Sequence, residues 1–243
     1  MAKLVQKSGY IKSGKVGGYM RYIATREGVE KLAGNGAVTK GQRELIQKLL
    51  TDFPDAAELF EYEDYCKTPT LGTASAFIGM ALDANIHEID SESGYMQYIA
   101  TRPRVQKHGS HGLFSSATAV DLTSAMSELE AHEGNVWTII YSLRREDAAR
   151  LEYDSADAWR TLLMENAPTL AKSMKISLDN FHWYAAFHDE GHHPHIHMMV
   201  WSDDPKEGFL TKDGIAAMRS KLTNAIFRDE MQQIYERKDV AYS

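Results

Sequence analysis

The chain has few of the features that mark secreted and membrane proteins. Its 243 residues include one cysteine, Cys66, which excludes an intrachain disulfide and fits a reducing compartment. The most apolar stretch, residues 74–82, is far too short to cross a bilayer, and the basic N-terminus lacks the apolar segment of a signal peptide. We therefore expect a cytoplasmic protein without membrane insertion.

The chain also lacks the overall positive charge expected of a general nucleic-acid binder, because its net charge is -7. The charge is unevenly distributed, however. Residues 1–48 carry ten Lys or Arg against three Glu, whereas residues 51–95 carry ten acidic residues against one Lys. A basic and an acidic face can coexist on one protein. No linker composition divides the chain, so we expect a single domain over residues 1–243.

The most informative motif is the histidine-rich segment 187–197, FHDEGHHPHIH. The aromatic and apolar runs 181–188 and 195–201 flank a polar turn, which predicts a β-hairpin. His192 and His193 are assigned to the turn, since five imidazoles cannot all reach one ion.

Three other histidines of this segment are predicted to hold a metal ion. Side chains alternate along a strand, so His195 and His197 project from one face of the hairpin. His188, at the end of the partner strand, can supply a third imidazole across the turn. Three protein ligands leave coordination positions open to substrate. Imidazole binds several divalent ions, so Mn, Mg and Zn all remain candidates.

A second feature is an internal duplication, in which residues 18–26 recur as 94–102. Over residues 18–36 the two copies match at 11 of 19 positions. Two copies do not make a solenoid, so the repeat predicts a reused helix. Each copy places two tyrosines three residues apart on one helical face: Tyr19 with Tyr22, and Tyr95 with Tyr98.

The hydrophobic periodicity predicts an α+β fold with helices packed on an antiparallel-rich sheet. Thr39 and Gln42 form a plausible capping box for the first helix, and Pro168 is expected to interrupt a later one. The predicted strands are 3–10, 111–116, 136–143, 181–188 and 195–201. The predicted helices are 39–51, 122–129, 155–174 and 215–226, with a mostly helical insert at about 37–92.

These motifs together resemble the relaxases of mobile plasmids and integrative elements, in particular the MobL type of the MobP class. Residues 187–199 resemble the His-hydrophobic-His metal motif of the wider HUH endonuclease superfamily. The duplicated YIATR run, residues 112–115 (GLFS) and residues 142–147 (SLRRED) resemble the MobL type. The resemblance implies an HUH endonuclease (relaxase-like) fold with a helical insertion.

The resemblance also implies a function. Such proteins nick one strand at a plasmid transfer origin by metal-assisted attack of a tyrosine and form a 5′-phosphotyrosyl covalent intermediate during conjugative mobilisation. The implied cofactor is a divalent metal ion held by His188, His195 and His197, with Asp189 or Glu190 orienting an imidazole. The implied partners are single-stranded or locally melted origin DNA, a coupling protein and accessory mobilisation proteins.

The duplication leaves the nucleophile open between Tyr22, which we favour slightly, and Tyr98. Tyr22 follows the first strand and a Gly-Gly pair, whereas Tyr98 directly precedes the next core strand. Basic residues beside each copy and after the strand 136–143 can hold phosphates. The predicted DNA-binding residues are Arg21, Arg26, Lys31, Arg102, Arg104, Lys107, Arg144 and Arg145.

The sequence leaves three alternative functions open. Rolling-circle replication initiators and single-strand transposases share the histidine motif but place the tyrosine on a C-terminal helix, where Tyr235 can serve. A metal hydrolase of small molecules fits the acidic net charge. The third alternative is a non-enzymatic protein that binds the origin through a decayed site.

Overall fold

A computed structural model describes residues 3–10, 35–85, 92–101, 105–107, 109–117 and 119–228, with side chains from Met96 onward in the segment 92–101. The first copy of the duplication, with Tyr19 and Tyr22, lies outside the described residues. So does Tyr235 near the C-terminus.

Five strands form one antiparallel sheet, as the α+β prediction requires. Their order is β1-β3-β5-β4-β2, so the hairpin strand β5 lies at the centre. All eight residues of β5 are buried, since the sheet is covered on both faces. The strands are β1 (Val5–Tyr10), β2 (Leu113–Phe114), β3 (Trp137–Ser142), β4 (Phe181–His188) and β5 (His195–Ser202).

Eight α-helices accompany the sheet in the described part of the chain. The predicted capping box is confirmed: Thr39 Oγ1 accepts from the Gln42 amide at 3.1 Å, and Gln42 Oε1 accepts from the Thr39 amide at 3.0 Å. None of these helices has both the length and the apolar character needed to cross a membrane. The helices are α1 (Lys40–Asp52), α2 (Phe60–Lys67), α3 (Leu71–Asn85), α4 (Glu92–Thr101), α5 (Leu122–Glu130), α6 (Arg145–Arg150), α7 (Ala156–Ser173) and α8 (Lys212–Ile226).

The prediction that Pro168 interrupts its helix is wrong, because α7 continues through it. Proline removes one hydrogen bond to the carbonyl four residues earlier, that of Met164. Both Pro168 and Met164 are exposed, so water can solvate that carbonyl. The opposite side of α7 is buried in the core, and this packing outweighs the lost bond.

The two faces of the sheet carry different cores. On one face α7 and α8 pack against alternate residues of the central strands, including Tyr141, Ile196 and Met198. On the other face, α1 to α3 form a layer against Val5 and Ile140 at the β1 side. Helices α4 and α5 form a second layer there, against the β4 side of the sheet. The histidine-bearing face therefore lies beneath two helical layers.

The helix α8 packs closely enough that Gly214 in its first turn has no room for a side chain. A Cβ at Gly214 would lie 2.4 Å from the Ser173 carbonyl oxygen, whereas one at Gly41 in α1 would meet nothing within 4 Å. We expect Gly214→Ala to lower the free energy of unfolding by about 1–3 kcal/mol through overpacking. Gly41→Ala should raise it by up to about 1 kcal/mol, because alanine favours the helix. Urea denaturation of both variants tests this, and equal shifts of one sign would contradict the close packing of α8 on α7.

Candidate metal centre

The antiparallel pairing of β4 and β5 brings the three predicted metal ligands together. His195 and His197 lie on the same face of β5, with Ile196 between them on the opposite face. In the pairing of β4 with β5, His188 is directly opposite His195, and Ala186 is directly opposite His197. Directly opposed residues of an antiparallel pair share a face, so all three imidazoles face the helical layers α1–α3 and α4–α5.

The three side chains form a compact buried cluster. One ligand atom from each of His188, His195 and His197 lies within 4.8 Å of the others. Ring centroids are separated by 5.2 Å (His188 to His195), 4.6 Å (His188 to His197) and 5.1 Å (His195 to His197). The residues are 0 %, 1 % and 0 % exposed, respectively.

Backbone carbonyls set the orientation of two of the imidazoles. Nε2 of His188 donates to the Ile99 carbonyl oxygen in α4 at 2.8 Å. Nδ1 of His195 donates to the His193 carbonyl oxygen at 3.0 Å. A ring nitrogen that donates a hydrogen bond carries the proton, so the nitrogens that would hold a metal ion are Nδ1 of His188 and Nε2 of His195.

The chemistry of this donor set fits a divalent metal ion. Burying three polar rings within a few ångströms of one another is costly, and protonating them would add charge repulsion. A divalent cation offsets both costs, because neutral imidazole is a common ligand of such ions. Three protein ligands leave further coordination positions for water or a substrate oxygen.

Arg145 holds the turn between the two histidine strands. Its guanidinium pairs with Asp189 and donates to the carbonyl oxygens of Glu190 and Gly191. Its backbone amide donates to the His192 carbonyl oxygen at 2.9 Å. The structure thus pairs Asp189, which the sequence predicted as a support for an imidazole, with Arg145.

Arg144 also contacts protein groups. It pairs with Glu63 at 3.2 Å and with Asp64 at 3.3 Å, and its guanidinium carbon lies 4.7 Å from the centre of the Phe60 ring. These contacts join the start of α6 to α2. The role of Arg144 and Arg145 in DNA binding stays a prediction.

Tyr98 lies in α4, the helix whose Ile99 carbonyl supports His188. Its hydroxyl donates to Asp83 Oδ1 at 2.7 Å, and Asp83 is only 2 % exposed. The Tyr98 phenol is therefore held against a buried carboxyl group at the end of α3.

Of the predicted DNA-binding residues, Lys107 is exposed. Those outside the described residues are Arg21, Arg26, Lys31, Arg102 and Arg104.

Two residues near the centre have surroundings that the sequence did not indicate. His193, assigned to the turn, is 5 % exposed and bonds Asp64 of α2. Glu61, one helical turn before Asp64, is 8 % exposed. The pKa of Glu61 is raised to about 8, mainly by burial of the carboxyl group. A backbone hydrogen bond lowers it, and the nearby carboxylates of Asp64, Glu190 and Asp83 add to the rise. The only local signal was the high density of acidic residues in this part of the sequence.

The architecture and the site together point to a class of protein. A central antiparallel sheet with buried histidines on both strands of one hairpin, set under helical layers, is consistent with a relaxase-like fold. The protein-family model of the MobL relaxases matches residues 1–242, so the chain belongs to the MobL relaxase family. Membership of this family implies the function of a DNA relaxase. No curated protein and no solved structure matches the chain.

Removing one ligand should abolish tight metal binding. We expect His197→Ala to weaken Mn²⁺ or Zn²⁺ binding by at least about 100-fold. Changing a residue that only supports a ligand typically weakens metal binding by about 10- to 100-fold, and the loss of a ligand itself should have a larger effect. The metal-dependent rise in unfolding temperature should disappear with it. Titration calorimetry and thermal unfolding measure both quantities. His192→Ala is the matched control, since His192 is an exposed turn residue. Equal metal affinity in the two variants would exclude this centre.

Glu61 should make the metal-free protein less stable as the pH rises. Its folded-state pKa of about 8 lies above the ordinary value of 4.5, so between these values the folded state binds a proton that the unfolded state has lost. The free energy of unfolding therefore falls by about 1.4 kcal/mol per pH unit in that window. Glu61→Gln should remove this loss and stabilise the protein progressively from pH 5 to 8.

Urea denaturation in EDTA at several pH values measures the difference. Glu165→Gln is the matched control, because it makes the same change on an exposed side chain of α7. A stability difference between Glu61→Gln and the unmodified protein that stays constant with pH would contradict a buried, protonated Glu61.

Proposed function

We propose that this protein cleaves one strand of DNA at a transfer origin by metal-assisted attack of a tyrosine. The product is a 5′-phosphotyrosyl link between the protein and the DNA, with a free 3′-hydroxyl on the other fragment. The observation that supports this proposal most strongly is the buried histidine trio on the central hairpin of a MobL family chain.

The phosphodiester bond explains why such a centre is needed. Its negative charge repels an approaching nucleophile, and a divalent ion bound beside it supplies the charge that stabilises the extra negative charge of the transition state. In the proposed step the phenolic oxygen forms a bond to phosphorus while the bond from phosphorus to the 3′-oxygen breaks. The phenol loses its proton to a base, and the departing 3′-oxygen gains one. One phosphodiester replaces another, so the step can reverse and rejoin the strand.

Tyr22 and Tyr98 are the two proposed nucleophiles. The hydrogen bond between His188 and the Ile99 carbonyl supports Tyr98, because it joins α4, the helix that contains Tyr98, to the strand that contains His188. Its hydrogen bond to Asp83 also offers an acceptor for the phenolic proton. The position of Tyr22 after the first strand and Gly17-Gly18 supports the alternative. In a duplicated segment, the copy that does not attack can bind DNA.

The proposal extends to the partners and the place of the reaction. The substrate is single-stranded or locally melted origin DNA, whose phosphates would be held by Lys107 and the basic residues beside the two tyrosines. The ion is Mn, Mg or Zn. A coupling protein and accessory mobilisation proteins would complete the transfer apparatus, in the cytoplasm.

The tyrosine that attacks can be identified by its covalent product. Single-stranded oligonucleotides that tile the DNA flanking the encoding gene are incubated with the protein and Mn²⁺, and the DNA-linked peptide is mapped by mass spectrometry. We expect an adduct that is lost in either Tyr22→Phe or Tyr98→Phe, since phenylalanine keeps the ring but has no oxygen to attack. His197→Ala and added EDTA should abolish the adduct with either tyrosine present.

Tyr235→Phe serves as the matched control. Loss of the adduct only in Tyr235→Phe would support a replication initiator or transposase. An adduct that persists in EDTA would contradict metal assistance, and the absence of any adduct with nicked or intact oligonucleotides would contradict the tyrosine mechanism.

A further inference from the structure

The turn that joins the two histidine strands is docked on α2 through a single imidazole. The His193 ring is buried, and its Nε2 atom lies 2.7 Å from Asp64 Oδ2. The same ring stacks on Phe60 at 5.2 Å between centroids, with an angle of 22° between the planes. A hydrogen bond in the ring plane and a stack on its face together define the position and tilt of the imidazole.

The Asp64 carboxylate is itself held in place. Its other oxygen, Oδ1, accepts a hydrogen bond from Arg144 at 3.3 Å, so the two oxygens bind different partners. Arg144 also pairs with Glu63 and lies over the Phe60 ring. The carboxylate that holds His193 is therefore also held by the guanidinium of Arg144, the residue just before α6.

His193 is also connected to the candidate metal centre, through its backbone carbonyl. The carbonyl of His193 accepts the hydrogen bond from His195 Nδ1 at 3.0 Å. Pro194 restricts the backbone of the residue before it, so the direction of the His193 carbonyl is closely tied to the position of that residue. The Pro194 carbonyl in turn accepts from the Leu143 amide at 3.2 Å.

We propose that Asp64 and His193 are positioning residues of the metal centre, through which α2 sets the tautomer and orientation of His195. The inference rests on the proposed metal site. Neither side chain binds the ion. The carboxylate holds the His193 ring, the His193 carbonyl holds the Nδ1 proton of His195, and Nε2 of His195 is thereby directed to the metal as a lone-pair donor. Outer partners of this kind typically change metal affinity by 10- to 100-fold when removed.

The first experiment measures Mn²⁺ affinity by titration calorimetry in four variants and two controls. Asp64→Ala and His193→Phe should each weaken binding by roughly 10- to 100-fold, because each removes one end of the same bond. Phenylalanine at 193 keeps a ring to stack on Phe60. The double variant should be no weaker than the weaker single variant, since the bond is already lost. Asp64→Asn should recover most of the affinity, because its amide oxygen can accept the same hydrogen bond.

The two controls make the same kinds of substitution at neighbouring residues that take no part in the hydrogen bond between Asp64 and His193. Glu63→Ala removes the neighbouring carboxylate, which also pairs with Arg144 but does not contact His193 in the structure. His192→Phe makes the same substitution on the exposed neighbour of His193. Both should bind Mn²⁺ with affinity close to that of the unmodified protein. Additive losses in the double variant, or equal losses in the controls, would overturn the positioning role.

A second measurement is independent of metal. Nitrogen-15 NMR of the imidazoles reports which ring nitrogen carries the proton, and in the metal-free protein His195 should be protonated at Nδ1. Asp64→Ala should convert this signal to a mixture of tautomers, whereas a general loss of stability would not. If the unmodified protein binds none of Mn²⁺, Mg²⁺ and Zn²⁺, the proposed function fails while the tautomer measurement still decides the role of Asp64. If it binds one of these ions and neither its affinity nor the tautomer changes in Asp64→Ala and His193→Phe, the positioning role is wrong and the metal centre stands.

Discussion

The candidate centre depends on the register between β4 and β5. Side chains alternate with a period of two along a strand, so a slip of one residue would turn His195 and His197 away from His188 and into the α7–α8 core. The same slip would expose Ile196 to the helical layers of the other face. Strand β5 is paired with β3 on one side and β4 on the other, and both ladders oppose a shift. The hydrophobic alternation of the central strand thus keeps the imidazoles on one face.

The two helical layers enclose the imidazoles that the hairpin brings together. Ile140 and Ala186 are the neighbours of His197 on the adjoining strands, and they belong to the α1–α3 core and the α4–α5 core, respectively. The imidazoles therefore lie where the two layers meet. Each layer also sends a polar contact to this place: the Ile99 carbonyl from α4, and the Asp64 carboxylate from α2. The apolar layers bury the three rings, the Ile99 carbonyl accepts a hydrogen bond from His188, and Asp64 binds His193, two residues before His195.

The features that were predictable from the sequence are those encoded locally. The hairpin, the histidine trio and the Thr39 capping box each depend on residues a few positions apart, and the structure brings the predicted groups together. The partners of Arg144 and His193 could not be predicted, because they lie on α2, about 80 and 130 residues away in the chain. The continuity of α7 through Pro168 was missed for a similar reason, since the local preference against proline was outweighed by packing in the core. The raised pKa of Glu61 likewise depends on burial, which composition does not show.

The sequence separation of these contacts bears on how the protein folds. A hairpin closes within microseconds because its contacts are local, but Ile99 is 89 residues from His188 and Asp64 is 129 residues from His193. The chain entropy lost in closing such long loops is recovered only when whole helical layers dock. A segment containing the hairpin alone would carry all three ligands without the groups that orient them. Tight coordination would then be a late event in folding, and metal affinity would report whether distant parts of the polypeptide have assembled.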